Sequence, residues 1–167
     1  MSGAAQERLA AWETFLQAHS VVFDRLEAEM ERECGLPLSW YEVLLKLSLT
    51  DDGRLRMLDL SRSLLLSKSG VTRLIDRMVE AGLVERESSA QDRRVTWACI
   101  SDRGRDRFRA AAPVHLRGIE EHFTGHLTDQ EVRTLRKALL RVLEASGQPA
   151  SACHSPSDFA EVARVRA

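Results

Sequence analysis

The hydrophobic periodicity of the chain changes at Gly82, from a helical period to an alternating one. Before this glycine, apolar residues recur at helical spacing: Val71, Leu74, Ile75, Met78 and Val79. Ser67 can cap the start of this helix, and Ala81-Gly82 can end it. After the glycine, Leu83 to Glu87 and Arg94 to Ile100 alternate apolar and polar residues on either side of a polar loop. The pattern predicts an amphipathic helix followed by a β-hairpin.

A shorter helix is predicted just upstream, where the segment from Leu58 to Leu65 carries Leu60 and Leu64 four residues apart. Two short helices joined by a tight turn and followed by a β-hairpin form a winged helix-turn-helix, whose second helix enters the major groove of DNA. We therefore predict a mainly α (α+β) chain with a winged helix-turn-helix DNA-binding region over residues 51–100.

Longer helices are predicted on both sides of this unit. In the first helix, seven residues follow the spacing of a helix packed along a seam: Leu9, Trp12, Leu16, His19, Phe23, Leu26 and Met30. Capping boxes at Ser39–Glu42 and Thr128–Glu131 predict the starts of two more helices. Ser101 can cap another, which Pro113 should kink. Because such apolar terminal helices need a partner surface, we predict a helical dimerisation region over residues 6–50 and 101–145, followed by a flexible tail over residues 146–167.

Charge is unevenly distributed along the chain, although the formal net charge is only −1. Residues 53–109 contain 13 Lys/Arg against 8 Asp/Glu, and the remainder contains 11 against 17. A basic middle between acidic flanks is typical of a phosphate-binding module within a larger scaffold. No segment has the pattern of a membrane span or a secretion signal, so we expect a cytoplasmic protein without a membrane partner.

The helix after Ser67 turns a polar face outward, opposite its apolar stripe. Arginine offers a fork that matches guanine, serine and threonine bond phosphates or bases, and a helix start suits anions. Arginine at the end of a hairpin loop can enter the minor groove. The predicted DNA-binding residues are Ser67, Lys68, Ser69, Thr72, Arg73, Asp76, Arg77, Arg93 and Arg94. Asp92 is predicted to brace the wing, since a carboxylate is repelled by phosphates. The alternative is an ordinary solvated helix face with ion pairs between neighbouring turns.

From about Leu9 to Ala145, the sequence resembles the multiple antibiotic resistance regulator (MarR) family. The segments Ser67–Met78, Gly82–Arg86, Asp92–Arg94 and Ile100–Gly104 look like the family's recognition helix, wing strand, wing signature and start of its fifth helix. The resemblance implies a homodimeric transcription regulator, a repressor, on a pseudo-palindromic operator in double-stranded DNA. It also implies release by a small phenolic or anionic effector.

His19 is the one polar residue in the seam of the first helix. It is a candidate for binding an anionic effector or for sensing pH, and its alternative role is that of a hydrogen-bonded core histidine. The candidate effector pocket around it consists of Trp12, Phe15, Leu16, Trp40 and Tyr41, whose spacing also suits plain core.

The sequence contains no nucleophile motif, phosphate loop or metal-ligand cluster, so we expect neither an enzyme nor a cofactor. His122 and His126 are the nearest approach to a metal pair, but two ligands do not make a site. Cys34 and Cys99 are expected to be packed thiols, and Cys153 lies in the tail. A remaining functional alternative is a winged-helix protein-interaction module that does not read DNA, against which the arginines of the helix and wing argue.

Overall fold

The computed structural model describes residues 2–64, 67–88 and 95–147. Within these ranges, six α-helices and three strands follow one another as α1 (Gly3–Cys34), α2 (Leu38–Ser48), β1 (Arg54–Arg56), α3 (Met57–Ser63), α4 (Lys68–Glu80), β2 (Val84–Ser88), β3 (Thr96–Ile100), α5 (Asp102–His122) and α6 (Asp129–Ala145), with a 3₁₀ turn at Thr124–His126. The strands form one antiparallel sheet in the order β1-β3-β2. The predicted mainly α architecture with a winged helix-turn-helix is confirmed.

Three of the predicted helix caps are confirmed. The Ser67 hydroxyl accepts a hydrogen bond from the Gly70 amide at 3.1 Å, and the Ser101 hydroxyl accepts one from Gly104 at 3.0 Å. Thr128 forms a full capping box at the start of α6. Gly82 ends the turn after α4 with a φ of 69°, a left-handed conformation that favours glycine. These local signals fix where α4, α5 and α6 begin.

The predicted capping box at Ser39 is wrong. Helix α2 begins at Leu38, and its N-cap residue is Pro37, which lies two residues before Ser39 and makes no side-chain cap. Glu27 of α1 supplies the missing acceptor, because its carboxylate accepts the Leu38 amide at 2.9 Å. A carboxylate also suits the positive end of a helix. The start of α2 is therefore set by a long-range contact with α1.

Two further details differ from the predictions. The sequence pattern does not predict the short strand β1, because three residues carry too little alternation to identify a strand; its Arg54 pairs with Cys99 of β3. Val79 was predicted on the buried face of α4, but its side chain is 38% exposed. The buried stripe of α4 is accordingly narrower than the sequence pattern indicated. Helix α5 continues through Pro113 without a break.

One hydrophobic core joins the winged helix to the longer helices. Helix α2 contributes the largest share, and α3, α4, the sheet and α5 close around it. The C-terminal part of α1 completes the core with Leu26 and Met30. Polar contacts hold the same part of α1 against α5: Arg117 lies 2.6 Å from Glu33, and Arg107 donates to the Cys34 carbonyl at 2.7 Å. The two predicted regions thus share a single core.

The N-terminal half of α1 and the whole of α6 lie outside this core. In α1, Trp12 is 59% exposed and Leu9 is 56% exposed, although the seam pattern places both on its apolar face. No residue of α6 is buried. Aromatic rings nevertheless line up along α1, with His19 stacked on Phe23 at a centroid distance of 5.7 Å. Among the residues that the structure describes, none covers these two surfaces.

Burial between α2 and α5 predicts a pH-dependent stability. The Tyr41 ring lies 4.3 Å from that of His115, and burial lowers the pKa of His115 to about 4. The unfolded state takes up this proton near pH 6.5, whereas the folded state resists it, so stability should fall as pH drops from about 6.5 to about 4. We expect His115 to account for about 1–3 kcal/mol of this decrease.

Urea denaturation of the parent and of His115→Phe across this pH range measures the effect. The phenylalanine keeps a ring in the core but cannot titrate, so the variant should lose less stability on acidification. His126→Gln, at an exposed position, is the matched control and should behave like the parent. Parallel pH profiles for the parent and His115→Phe would contradict the assignment.

Candidate nucleic-acid interface

Helix α4 is anchored through its inner face and presents a polar outer face. Val71, Leu74, Ile75 and Met78 are buried. The opposite side carries six exposed residues that the sequence pattern predicts to bind DNA: Ser67, Lys68, Ser69, Thr72, Arg73 and Arg77. Because the apolar stripe is fixed in the core, the face of α4 that carries these side chains is fixed as well. The predicted orientation of the helix is confirmed.

Two open grooves run along the sides of α4. One, of about 680 Å³, is lined by Ser39, Gly70, Arg73, Leu74, Asp76 and Arg77. The other, of about 630 Å³, is lined by Arg56, Met57, Leu58, Lys68, Thr72, Arg86, Val95 and Thr96. Each groove contains at least two cationic side chains. The outer face of α4 is therefore flanked by positive charge on both sides, as a surface that follows phosphates requires.

Arg86 of β2 ties the wing strand to α4. One guanidinium nitrogen donates to the Asp76 carboxylate, and another donates to the Thr72 carbonyl at 3.2 Å. Asp76, predicted to contact DNA, is therefore engaged by Arg86. Such a two-point contact from a planar guanidinium holds the strand at a defined angle to the helix.

Sequence reasoning missed Arg86, because Glu85 and Glu87 on either side made this segment of the strand look acidic. The burial pattern of β2 gives no signal for Arg86 either, because all four residues after Val84 are exposed.

A second pair of arginines flanks Trp97 in the sheet. The guanidinium carbons of Arg54 and Arg56 lie 4.9 and 5.2 Å from the centre of its ring. Arg54 is also paired with Asp52 at 2.7 Å. Arg56 is exposed and lines the groove beside Lys68. Arg56 thus adds a cation to the α4 surface that sequence reasoning did not identify, because strand β1 was not recognised.

The remaining predicted site residues are the wing residues and the candidate effector pocket, and the described members of that pocket do not form one cluster. Arg93, Arg94 and Asp92 lie outside the described residues. Of the candidate effector pocket, four members lie on the exposed strip of α1: Trp12, Phe15, Leu16 and His19. Trp40 is half-buried, and Tyr41 is fully buried against Phe108 and His115.

The two cysteines within the described ranges lie half-buried, away from the outer face of α4. Burial raises the pKa of Cys34, and burial together with the nearby Glu87 raises the pKa of Cys99 to about 11. A raised pKa keeps a thiol protonated and weakly nucleophilic. Their environments agree with the prediction of packed, unreactive thiols.

The Arg86 contact predicts a measurable coupling between the wing and α4. In a double-mutant cycle with Arg86→Ala and Asp76→Ala, we expect a coupling free energy of about 0.5–1 kcal/mol, because the pair is only partly shielded from water. The control cycle uses Arg62 and Asp59, an exposed pair 3.7 Å apart, whose coupling should be near zero. Urea unfolding of the variants gives both values. Equal couplings in the two cycles would contradict a bracing role for Arg86.

Comparisons with known proteins agree with this geometry. A family model described as MarR family matches residues 35–95, whereas no curated protein sequence matches. AbsC, a MarR family transcriptional regulator from Streptomyces coelicolor, is 33% identical with a TM-score of 0.80, covering 89% of this chain and 98% of its own. Sco3205, a MarR family regulator of the same organism solved in complex with DNA, is 25% identical with a TM-score of 0.80, covering 90% and 96%.

Sco5413, another MarR family regulator of that organism, is 26% identical with a TM-score of 0.70, covering 84% of this chain and 95% of its own. In the part of the chain that the structure describes, no helix is both long and apolar enough to cross a membrane. The identity to AbsC over nearly its whole length, the shared fold and the family-model match lead to one conclusion: the chain belongs to the MarR family of transcriptional regulators.

Proposed function

We propose that this protein binds a double-stranded DNA operator by placing α4 in the major groove. The observation that carries the proposal is the outer face of α4, where Arg73 and Arg77 project opposite a fully buried apolar stripe. Arginine pairs with the edge of guanine through two hydrogen bonds, which gives sequence preference. The relative Sco3205 was solved in complex with DNA, which supports the same role here.

The wing supplies the second part of the proposed interface. Arg86 holds β2 against α4, so this strand has a defined position relative to the recognition helix. We assign Arg93 and Arg94, between β2 and β3 in the chain, to phosphate or minor-groove contacts, with Asp92 bracing them. Arg56 and Lys68 would add phosphate contacts between the wing and α4. Base reading is thus assigned to the helix and general affinity to the wing.

Alanine variants separate these two roles. At least one of Arg73→Ala and Arg77→Ala should weaken operator binding by about 1–3 kcal/mol and relax the preference at one base position of each half-site. Arg93→Ala and Arg94→Ala should weaken binding to operator and scrambled DNA alike. They should also lower the salt slope by about one unit for each phosphate that the variant subunit no longer neutralises.

The measurement is a salt-titrated gel shift on the intergenic DNA beside the gene, with a scrambled duplex of equal composition. Arg133→Ala, at an exposed arginine of α6 that is outside the proposed DNA-binding residues, is the control and should bind like the parent. Circular dichroism checks folding. If all four arginine variants bind the operator like the parent, the DNA-binding proposal is wrong. The alternative of a protein-interaction module is then favoured.

We further propose that the protein is a homodimer. Leu9, Trp12 and Leu16 form an exposed apolar strip on α1, and contiguous exposed apolar surface of this kind marks a protein–protein interface. Helix α6 has a strongly amphipathic sequence and no buried residue, although Leu139 and Leu143 lie on one face. A second copy related by a two-fold axis covers both surfaces, and such an axis spaces two recognition helices about 34 Å apart. This matches a pseudo-palindromic operator.

Light scattering at micromolar concentration should give twice the 18.8 kDa monomer mass. Trp12→Glu should shift the protein toward the monomer, since it places a charge in the apolar strip. Thr14→Glu adds the same charge on the opposite side of α1 and should leave the dimer intact. A parent protein of monomer mass, or an equal effect of the two variants, would contradict this interface.

Repression and effector release complete the proposal. A dimer bound to an operator beside a promoter blocks polymerase, which makes repression the expected outcome. The effector we propose is a small phenolic or anionic molecule near His19, whose ring lies between those of Phe15 and Phe23 on α1. Since no residue in the described part of the chain covers these rings, we expect the second copy to close the site. Residues 6–50 and 101–145 then form the dimerisation region, and residues 51–100 read DNA.

A further inference from the structure

Three potential metal ligands meet where α1 crosses the end of α5. Glu29 of α1 lies beside His122 of α5, with 2.6 Å between the Glu29 Oε1 and His122 Nε2 atoms. The neighbouring Glu121 places a carboxylate oxygen in the same cluster, and all three donor atoms lie within 4.8 Å of one another. The side chains of His122 and Glu29 are only 9% and 15% exposed. Two of the three donors are thus held in a largely dry environment.

The second oxygen of Glu29 indicates that this is more than a hydrogen-bonded pair. This Oε2 atom is buried and has no hydrogen-bond partner among the residues that the structure describes. A buried carboxylate oxygen without a partner is costly, so its position needs a compensating contact. Gly118 leaves the space that Glu29 occupies: a Cβ atom at residue 118 would lie 2.9 Å from Glu29 Oε2 and 2.7 Å from Leu26 Cδ2. The absence of a side chain at Gly118 therefore makes room for the Glu29 carboxylate.

We propose that Glu29, Glu121 and His122 bind a divalent transition-metal ion, for which Zn²⁺ is the best-matched candidate. One imidazole and two carboxylates are typical zinc donors, and they leave a fourth position open to water on the exposed side of Glu121. Two carboxylates balance the charge of the ion. A hard cation such as Mg²⁺ would gain little from the imidazole.

The donor atoms of the three residues need to move only slightly to reach the separations of a zinc site. Zinc bonds of about 2.0–2.1 Å in a tetrahedron require donors about 3.3 Å apart, so Glu29 and His122 separate by less than about 1 Å. Glu121 is exposed and can rotate inward. The ion takes the place of the hydrogen bond between Glu29 Oε1 and His122 Nε2, and His122 binds it through Nε2 with the ring proton on Nδ1. The ion would then crosslink α1 to α5. This site is independent of the α4 surface.

The cluster differs from the histidine pair noted in the sequence. His126 lies on the 3₁₀ turn after α5 and is exposed, outside the three-residue cluster. The partner of His122 is Glu29, which is 93 residues away in the chain. No spacing rule in a single sequence connects two such positions.

Isothermal titration of the metal-free full-length protein with Zn²⁺ alone tests the proposal. We expect one ion per chain, and an increase in Tm of about 5–10 °C at a hundredfold excess over Kd. Titration with Co²⁺ should give absorption typical of nitrogen and oxygen donors. Absence of zinc binding, or a thiolate charge-transfer band with Co²⁺, would overturn the assignment.

Variants distinguish the cluster from other donors. Glu121→Gln is the critical one: Glu121 is exposed, so its removal should weaken zinc binding tenfold or more while the metal-free Tm stays unchanged. His122→Gln and Glu29→Gln should abolish binding, with circular dichroism verifying the fold. His126→Gln and Cys34→Ser are the controls and should bind zinc like the parent. Full affinity in Glu121→Gln, or abolished binding in either control, would contradict the site. Operator binding of the metal-free protein is measured in parallel, so that failure of either proposal is recognised separately.

Discussion

The burial of one face of α4 is the interaction on which the proposed DNA surface depends. Val71, Leu74, Ile75 and Met78 are locked in the core, so the helix can neither roll nor slide without exposing apolar area. The backbone positions of the outer arginines are therefore fixed before any ligand arrives. Arg86 extends this order to the wing through Asp76 and the Thr72 carbonyl. Because the backbone of α4 and of the wing strand is already ordered, binding costs little further backbone entropy, which favours affinity.

The features predicted from the sequence are those set by local chemistry. The stripe of α4, the turn at Gly82 and the caps at Ser67, Ser101 and Thr128 all depend on residues within four positions of one another. The features that the sequence did not predict depend instead on contacts between residues that are distant in the chain. The start of helix α2 is set by a hydrogen bond to Glu27 of α1, and β1 is stabilised by its pairing with β3. Arg86 of the site was missed for the same reason, since its partners are ten and fourteen residues away. Tertiary contacts decide such positions, and a periodicity argument contains no information about them.

The seam of α1 illustrates a related ambiguity. Its spacing of three and four continues through both halves of the helix, yet only Leu26 and Met30, near the C-terminal end, are buried in the chain's own core. Trp12 and Leu16 follow the same spacing, but their side chains are exposed to solvent. Periodicity identifies the face that is buried, but it does not state whether the covering surface belongs to the same chain or to another. The change in burial along a single uninterrupted seam is what separates the core-forming half of α1 from the proposed dimer half.

Helix α5 connects these parts physically. At its start, the Ser101 hydroxyl donates to the Gly82 carbonyl at 2.7 Å, and Gly104 leaves no room for a Cβ atom against the Leu83 carbonyl. Near its middle and end, Arg107, Arg117 and His122 hold the C-terminal part of α1. Helix α5 thus contacts both the turn at Gly82, which follows the recognition helix, and α1, which carries the proposed dimer strip. Any displacement of α1 relative to α5 must either break these polar contacts or move the turn at Gly82, because a packed helix transmits strain rather than absorbing it. An ion between Glu29 and His122 would therefore tighten the contact between α1 and the helix that packs against the turn at Gly82.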